Sequence, residues 1–476
     1  MFVSVLLGLV TAAAVLAPVL NYYYRNGYVF IDHETFYSLA RLLYVLMWVN
    51  AAFACTCLGV WIHAGRLGIG MWIGFGFSVL FTLLFTMVNL VSGKLTFNEN
   101  LKMAVRPLRF KFMSGAMVLD LGTGYYAVVF GTSKRSQGYV TYRVKGEEKT
   151  SWSADGGVKR MGILHSCQIP REELENNSYQ IHAIRVAERL SYGSRFGTVL
   201  HGDTYSFKGT RTSDTLTAVS VSDWHFRYQE MENAVAQMGG FDLLLTLGDG
   251  GDYFVNEQHA VKLLVKPLSI ITKGQVPIIF TRGNHEVRAD FDFGDFWRKL
   301  GYKDGFNYRV ERGGYLFTVI DSAEAPDGHD EWEHKGCYDM LPYLNSVLAW
   351  LEQLEPRPDK YNIVMDHDAN FSTPTDSKQD RYFAALERLG IQFGVSGHSH
   401  NFRFDEALHG LFPNIQDGGR FIRAGHPKGP LNGLLDVITK PVYAYRACKI
   451  EFTPSEIRIT GTDDLGNSLG EYSVKK

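Results

Sequence analysis

The chain has 476 residues, more than one domain usually holds, and its 46% hydrophobic content is uneven, with much of it falling before residue 93. A net charge of −2 supplies no basic field for a long polyanion, which disfavours nucleic acid as a partner. The five cysteines do not suggest a disulfide framework: Cys55 and Cys57 lie inside an apolar run, and Cys167, Cys337 and Cys448 are scattered.

Residues 1–93 contain three apolar runs, 2–20, 39–62 and 67–91. At about 1.5 Å per helical residue, each is long enough to cross or nearly cross a hydrocarbon core of about 30 Å. They predict three transmembrane helices, with Tyr22, Tyr23, Tyr24 and Trp61 near the interfaces. A cleaved signal peptide is the alternative for the first run. The small residues at 11–17 suit it, but no basic segment precedes them. Lys94, Lys102, Arg106, Arg109 and Lys111 follow the last run, and with Arg25 and Arg41 they predict that the rest of the chain is cytoplasmic.

From 95 to 212 the pattern shortens to alternating stretches without a long helical period. Residues 125–130, 139–144, 162–168, 179–186 and 204–207 read as strands, with Ser136-Gln137-Gly138 as a turn. Several short strands in about a hundred residues predict a small all-β sandwich. Leu174-Glu175-Asn176-Asn177-Ser178-Tyr179 resembles the corner of a fibronectin type III module, in which a Tyr hydroxyl ties a loop to its neighbouring strand.

Beyond 215 apolar runs of strand length, 216–221, 241–247, 276–280, 361–365 and 391–395, each precede a polar cluster. The clusters are Asp223-Trp224-His225, Gly248-Asp249-Gly250-Gly251-Asp252, Gly283-Asn284-His285-Glu286, His367, and Gly397-His398-Ser399-His400. Between them lie helical periods such as Leu344, Val347, Leu348, Leu351 and Leu354. The alternation predicts an α/β domain over 215–476 with a largely parallel sheet, and such sheets gather ligands at the carboxyl ends of their strands. Carboxylate, imidazole and amide oxygen together make a donor set that borderline divalent metals accept.

The ordered set D-x-H, G-D-x-x-D, G-N-H-E, a lone His after a strand, and G-H-x-H resembles the calcineurin-like metallophosphoesterase superfamily over roughly residues 215–460. The resemblance implies a sheet sandwich flanked by helices and two divalent ions, Mn, Fe or Zn. Asp223, His225, Asp249 and His400 would hold one ion; Asp249, Asn284, His367 and His398 would hold the other, with Asp249 as the bridge. It further implies that a hydroxide between the ions attacks phosphorus while His285 acts as general acid, its tautomer fixed by Asp252. His367 departs from the family context, which carries a Pro soon after; here Asp366 and Asp368 flank it as candidate acceptors of its other N–H. Glu286 reads as structural. His426, Arg420 and Arg423 are candidates for the substrate pocket, as is Arg282.

A sandwich before such a domain resembles the arrangement of purple acid phosphatases, which places the catalytic domain outside the cytoplasm, against the charge rule. Those enzymes carry a Tyr three residues past the bridging Asp, where this chain has Asp252, so no ferric-tyrosinate centre is expected. The expected activity is that of a membrane-anchored phosphohydrolase, with a phosphomonoester favoured. A phosphodiesterase or nuclease using the same site, or a membrane-tethered adhesion or scaffold protein with a vestigial site, are the alternatives. Loops such as 321–338 and 416–432 set specificity and carry no readable code for the substrate.

Overall fold

The computed structural model describes residues 109–476 apart from 210–214, 253, 255, 288–292, 303–304, 323–339, 372–375 and 423–442, together with a few positions between 69 and 78. The three apolar runs lie outside the described residues except for those few positions. Among the described residues no helix is long and apolar enough to cross a membrane. The chain divides into two compact units, 1–105 with 425–441, and 106–424 with 442–476. All the described strands belong to the second unit.

Its first strands are β1 (Met117–Asp120), β2 (Tyr125–Val144), β3 (Glu147–Trp152), the short ladder β4 (Ala154–Asp155) and β5 (Val158–Lys159), β6 (Gly162–Pro170), β7 (Ser178–Leu190) and β8 (Gly193–Ser206). β2 changes partners along its length. Its first half pairs with β1 and β6, and after a register shift between Gly131 and Ser136 its second half pairs with β3 and β7. Val118, Tyr126, Val128 and Phe130 from one layer and Val140, Tyr142, Tyr179 and Ile181 from the other bury a common core. Residues 136–138, expected as a turn, instead run inside β2. Gly138 is there for close approach: a Cβ on it would stand 2.3 Å from the His165 ring.

The module's strands end with β8 at Ser206, before the boundary expected at 212–215, yet the module shares a sheet with the strands that follow. The later strands of the first sheet are β9 (Leu216–Val221), β10 (Leu243–Thr246) and β11 (Pro277–Phe280), and β1 pairs with β11 in parallel, Val118 opposite Pro277 and Leu119 opposite Ile278. Among the described residues one 13-stranded sheet therefore runs through both parts. Tyr179, the expected corner tyrosine, donates its hydroxyl not within the module but to the Gly274 carbonyl, 2.7 Å away in the turn before β11. Buried Asp120 completes the join by pairing with Arg312, which also donates to Tyr126 Oη at 2.7 Å.

The second sheet contains β12 (Tyr308–Arg312), β13 (Tyr315–Ile320), β14 (Tyr361–Asp366), β15 (Phe393–Ser396), β16 (Phe402–Leu408) and β17 (Phe412–Asp417), in the order β12-β13-β14-β15-β17-β16. The chain then returns to the first sheet through β18 (Gly419–Ile422), β19 (Tyr443–Phe452), β20 (Glu456–Asp463) and β21 (Ser468–Lys475). The sheets pack face to face over Leu245, Ile279, Phe317, Ile363, Val395, Ile450 and their neighbours, where each fully buried side chain contributes on the order of 1.5–3 kcal/mol. Helices Met340–Gln353 and Asp376–Arg388 cover the second sheet, and the predicted period Leu344, Val347, Leu348 and Leu351 is the buried stripe. The result is the expected mixed α/β fold. β9, β10 and β11 are mutually parallel, as are β13, β14, β15 and β17, so their carboxyl ends share a rim.

Candidate metal centre

All five clusters leave that rim directly. Asp223 follows β9, Asp249 follows β10, Asn284 follows β11, His367 follows β14, and His398 and His400 follow β15. To turn the side chains inward immediately after a buried strand, the backbone adopts the left-handed region: Asp223, His225, Asp249, His398 and His400 all have φ between 36° and 66°. Such conformations cost of order 1–3 kcal/mol each for a residue with a side chain, and they persist where the surroundings overdetermine them. Glycines supply the remaining space. A Cβ on Gly283 would stand 2.2 Å from Asp249 Oδ1, and one on Gly397 would stand 2.8 Å from Asp223 Oδ2.

The donor atoms converge in two groups around Asp249. In the first, His400 Nε2 is 3.3 Å and His225 Nε2 is 3.8 Å from Asp223 Oδ1, and His225 Nε2 is 3.5 Å from Asp249 Oδ2. In the second, His367 Nε2 lies 3.4 Å from Asp249 Oδ2, 3.1 Å from Asn284 Oδ1 and 3.3 Å from His398 Nδ1. Ligands about 2.0–2.2 Å from a common ion stand roughly 3–3.5 Å apart, so these separations fit ion coordination. Two buried atoms, Asp223 Oδ1 and His225 Nε2, have no hydrogen-bond partner, and both face the first group. The residues present therefore fit divalent ions.

Charge points the same way. Burial alone would raise the Asp223 and Asp249 carboxyls, but surrounding histidines, foremost His225 for Asp223 and His367 for Asp249, hold both well below the usual range. Burial opposes a charged His225, yet Asp223 and Asp252 outweigh it and lift its pKa to about 9. Without cations, the His225 and His367 imidazoles, both raised by the neighbouring carboxylates, carry the positive charge that this cage demands.

The orienting contacts differ from two expectations. Asp252 does not give its carboxylate to His285. Oδ1 accepts from His225 Nδ1 at 2.8 Å and meets Arg420 Nη2 at 3.2 Å, while the Asp252 backbone carbonyl accepts from His285 Nδ1 at 2.8 Å. The reason is position: the loop 249–252 wraps past His225, leaving only its main chain toward His285. For His367, neither Asp366 nor Asp368 accepts the second N–H; the Leu247 carbonyl does. Asp366 is occupied by Ser322 and Tyr382 instead.

Glu286, expected to be structural, organises the loops. Fully buried, its carboxylate accepts from the backbone N–H of Asp249 and Gly283 at 2.7 Å each and of Gly250 at 2.8 Å. Burial and the Asp249 charge push its pKa up to about 7 against those donors. Asp417 was not singled out from the sequence. It lies beneath Asp223, accepting from Ser220 at 2.7 Å and Ser222 at 2.5 Å, and no sequence motif marks it.

Among the substrate candidates, Arg420 sits at the edge of the centre beside Asp252. Arg282 is tied to Asp321 at 2.6 Å and stacked on Phe306, which makes it a buried strut. Arg423 and His426 lie outside the described residues. His285, partly exposed, keeps Nε2 3.8 Å from Asp249 Oδ2 and packs edge-on against His225.

Residues 216–402 match the calcineurin-like phosphoesterase family. No curated protein matches the chain. Similar solved structures include GAP50, the anchor in the inner membrane complex of Plasmodium, at 11% identity with a TM-score of 0.34, covering 55% of this chain and 89% of that one. A predicted phosphoesterase from Streptococcus pneumoniae shares 13% identity at a TM-score of 0.25, covering 55% and 98%. Vps29 of Entamoeba histolytica complexed with zinc shares 12% at 0.24, covering 55% and 99%. Likenesses at these scores carry no argument of their own; the family match, with the candidate ligands at the rim, supports a phosphoric ester hydrolase.

Proposed function

With residues 216–402 a calcineurin-like phosphoesterase domain, we propose that the chain is a membrane-anchored phosphohydrolase with a two-ion centre that acts on phosphomonoesters. The observation that carries this reading is the place of Asp249 Oδ2, 3.5 Å from His225 Nε2 on one side and 3.4 Å from His367 Nε2 on the other, where one carboxylate serves both groups. Asp223, His225, Asp249 and His400 would hold one ion and Asp249, Asn284, His367 and His398 the other. Mn, Fe(II) or Zn suits the mixed oxygen and nitrogen donors. Such ions polarise phosphoryl oxygens and lower the pKa of water between them.

The chain's own groups do the rest. The Asp252 carbonyl holds His285 by Nδ1, which leaves Nε2 turned to the reacting side, where it donates a proton to the departing oxygen. Arg420, paired with Asp252 at the rim, is placed to take a phosphoryl oxygen. The apolar runs at 2–20, 39–62 and 67–91 anchor the chain, and the basic residues after them favour a cytoplasmic catalytic side.

Purified full-length protein, loaded in turn with Mn, Fe(II) or Zn, is the test. Metal-dependent hydrolysis of 4-nitrophenyl phosphate, faster than that of the bis-ester, is expected, and Asp249→Ala removes both metal and turnover. A faster diester rate replaces the monoester reading with a phosphodiesterase. Retained metal and normal turnover in Asp249→Ala overturns the site assignment.

A further inference from the structure

The chain crosses from the second sheet back to the first at residues 417–420, the end of β17 and the start of β18. Asp417 is fully buried beneath β9 and accepts from Ser222 Oγ at 2.5 Å, so it grips the residue that precedes Asp223. Gly419 has φ 62°, and a Cβ on it would stand 2.5 Å from Asp223 Cβ, so glycine lets the crossing pass this closely. Arg420 then acts through three groups. Its N–H donates to the Asp223 carbonyl at 3.1 Å, and its own carbonyl accepts from His400 Nδ1 at 3.3 Å. Its Nη2 lies 3.2 Å from Asp252 Oδ1, which in turn accepts from His225 Nδ1 at 2.8 Å. A carbonyl and an ionised carboxylate only accept, so each histidine keeps a proton on Nδ1 and turns Nε2 to the ion position. Asp223, His225 and His400 are thus all held from one short stretch of chain. His367 of the second group is held from elsewhere, its Nδ1 donating to the Leu247 carbonyl after β10.

We propose that residues 417–420 position Asp223, His225 and His400, the ligands that only one ion uses, and that Asp417 is a positioning residue acting through Ser222. This rests on the two-ion reading above. Asp223 and His225 follow β9 of the first sheet whereas His400 follows β15 of the second, so their cage holds only while the two sheets keep their register. The crossing supplies that register at the rim, being continuous with a strand of each sheet. The Asp223 N–H also donates to the Gly248 carbonyl at 2.9 Å, so loss of the Asp417 contact loosens Asp223 without releasing it.

The experiment titrates the full-length chain, stripped by EDTA, with Mn(II) and follows it by electron paramagnetic resonance. The wild type takes up two ions, and the second turns the signal of an isolated ion into that of an exchange-coupled pair. Asp417→Asn and Ser222→Ala each weaken one ion about 10- to 100-fold, the loss typical when a ligand's supporting partner goes, and keep the other at wild-type affinity. The isolated signal then persists as the second equivalent is added. Combined, the two substitutions weaken that ion no more than either alone, because both break the same contact. On a His400→Ala background Asp417→Asn leaves the remaining ion's affinity unchanged, which assigns the weakened ion to the group of Asp223, His225 and His400. Equal weakening of both ions, or of neither, in Asp417→Asn and Ser222→Ala overturns the positioning role while the two-ion reading stands. A wild type that takes up fewer than two ions overturns that reading and this inference with it.

Discussion

His285 and Asp252 divide the work differently from their order in the chain, and this changes what their variants should do. Asp252 orients the candidate ligand His225 through its side chain and the proposed acid through its carbonyl, which every residue at 252 retains. Asp252→Asn should therefore lower metal affinity about 10- to 100-fold, as loss of a ligand's orienting partner does, and leave the dependence on leaving group nearly unchanged. Metal titration beside kinetics on alkyl and aryl phosphates checks both halves. His285→Ala should keep both metals and lose about 10²- to 10⁴-fold on alkyl phosphates, whose oxygen leaves poorly unprotonated, but much less on nitrophenyl phosphate. Equal losses on both would make His285 a binding residue instead. The candidate ligands were readable because type, order and strand context coincide in a few tetrapeptides. Asp417 and the amide contacts of Glu286 were not, since a side chain's direction depends on backbone angles that no motif encodes.

Histidine 165 offers a test of stability away from the metals. It is fully buried, with Nε2 2.8 Å from Ser136 Oγ, and burial holds its pKa down to about 3. Between that value and the unfolded value near 6.5 the unfolded chain takes up a proton that the fold excludes, so stability falls as pH drops below about 6.5. The slope should approach roughly 1.4 kcal/mol per pH unit from this group alone. Melting curves from pH 7 to 5 should show His165→Gln with a shallower fall than the wild type; parallel falls would mean that other groups carry the acid sensitivity.

Among the elements, β1 decides how the two halves relate. Alternation revealed most module strands, but not that 125–130 and 139–144 are one strand, because a register shift leaves no compositional trace. Parallel pairing of β1 with β11 was also hidden, since β1 is only four residues long and its partner lies far along the chain. The Asp120–Arg312 pair is the lock at this join. Arg312→Met leaves buried Asp120 with Arg171 at 2.6 Å and the Gly122 N–H at 3.1 Å, and should cost on the order of 3 kcal/mol. In calorimetry this should lower a single transition shared by module and catalytic sheets. Two separate transitions in the wild type would show the module to be an independent domain.

For the whole molecule, the anchoring proposed from residues 2–91 predicts that the chain stays with membranes after alkaline carbonate washing. Protease added to intact cells should spare a cytoplasmic catalytic domain, and digestion from outside would reverse the orientation drawn from the basic residues. Charge and hydropathy speak only to the first 111 residues here, which is why the sequence leaves sidedness open while it points to specific candidate metal ligands.

β9, whose end carries Asp223, is flanked on one side by β10 and on the other by β19, at residues 443–452. A ribosome has therefore translated beyond residue 443 before that edge can close. Until then the nascent chain presents an unpaired, apolar strand of the kind that recruits neighbours into aggregates. Chains truncated before 443 should be found with chaperones or in inclusion bodies even though every ligand residue has already been translated.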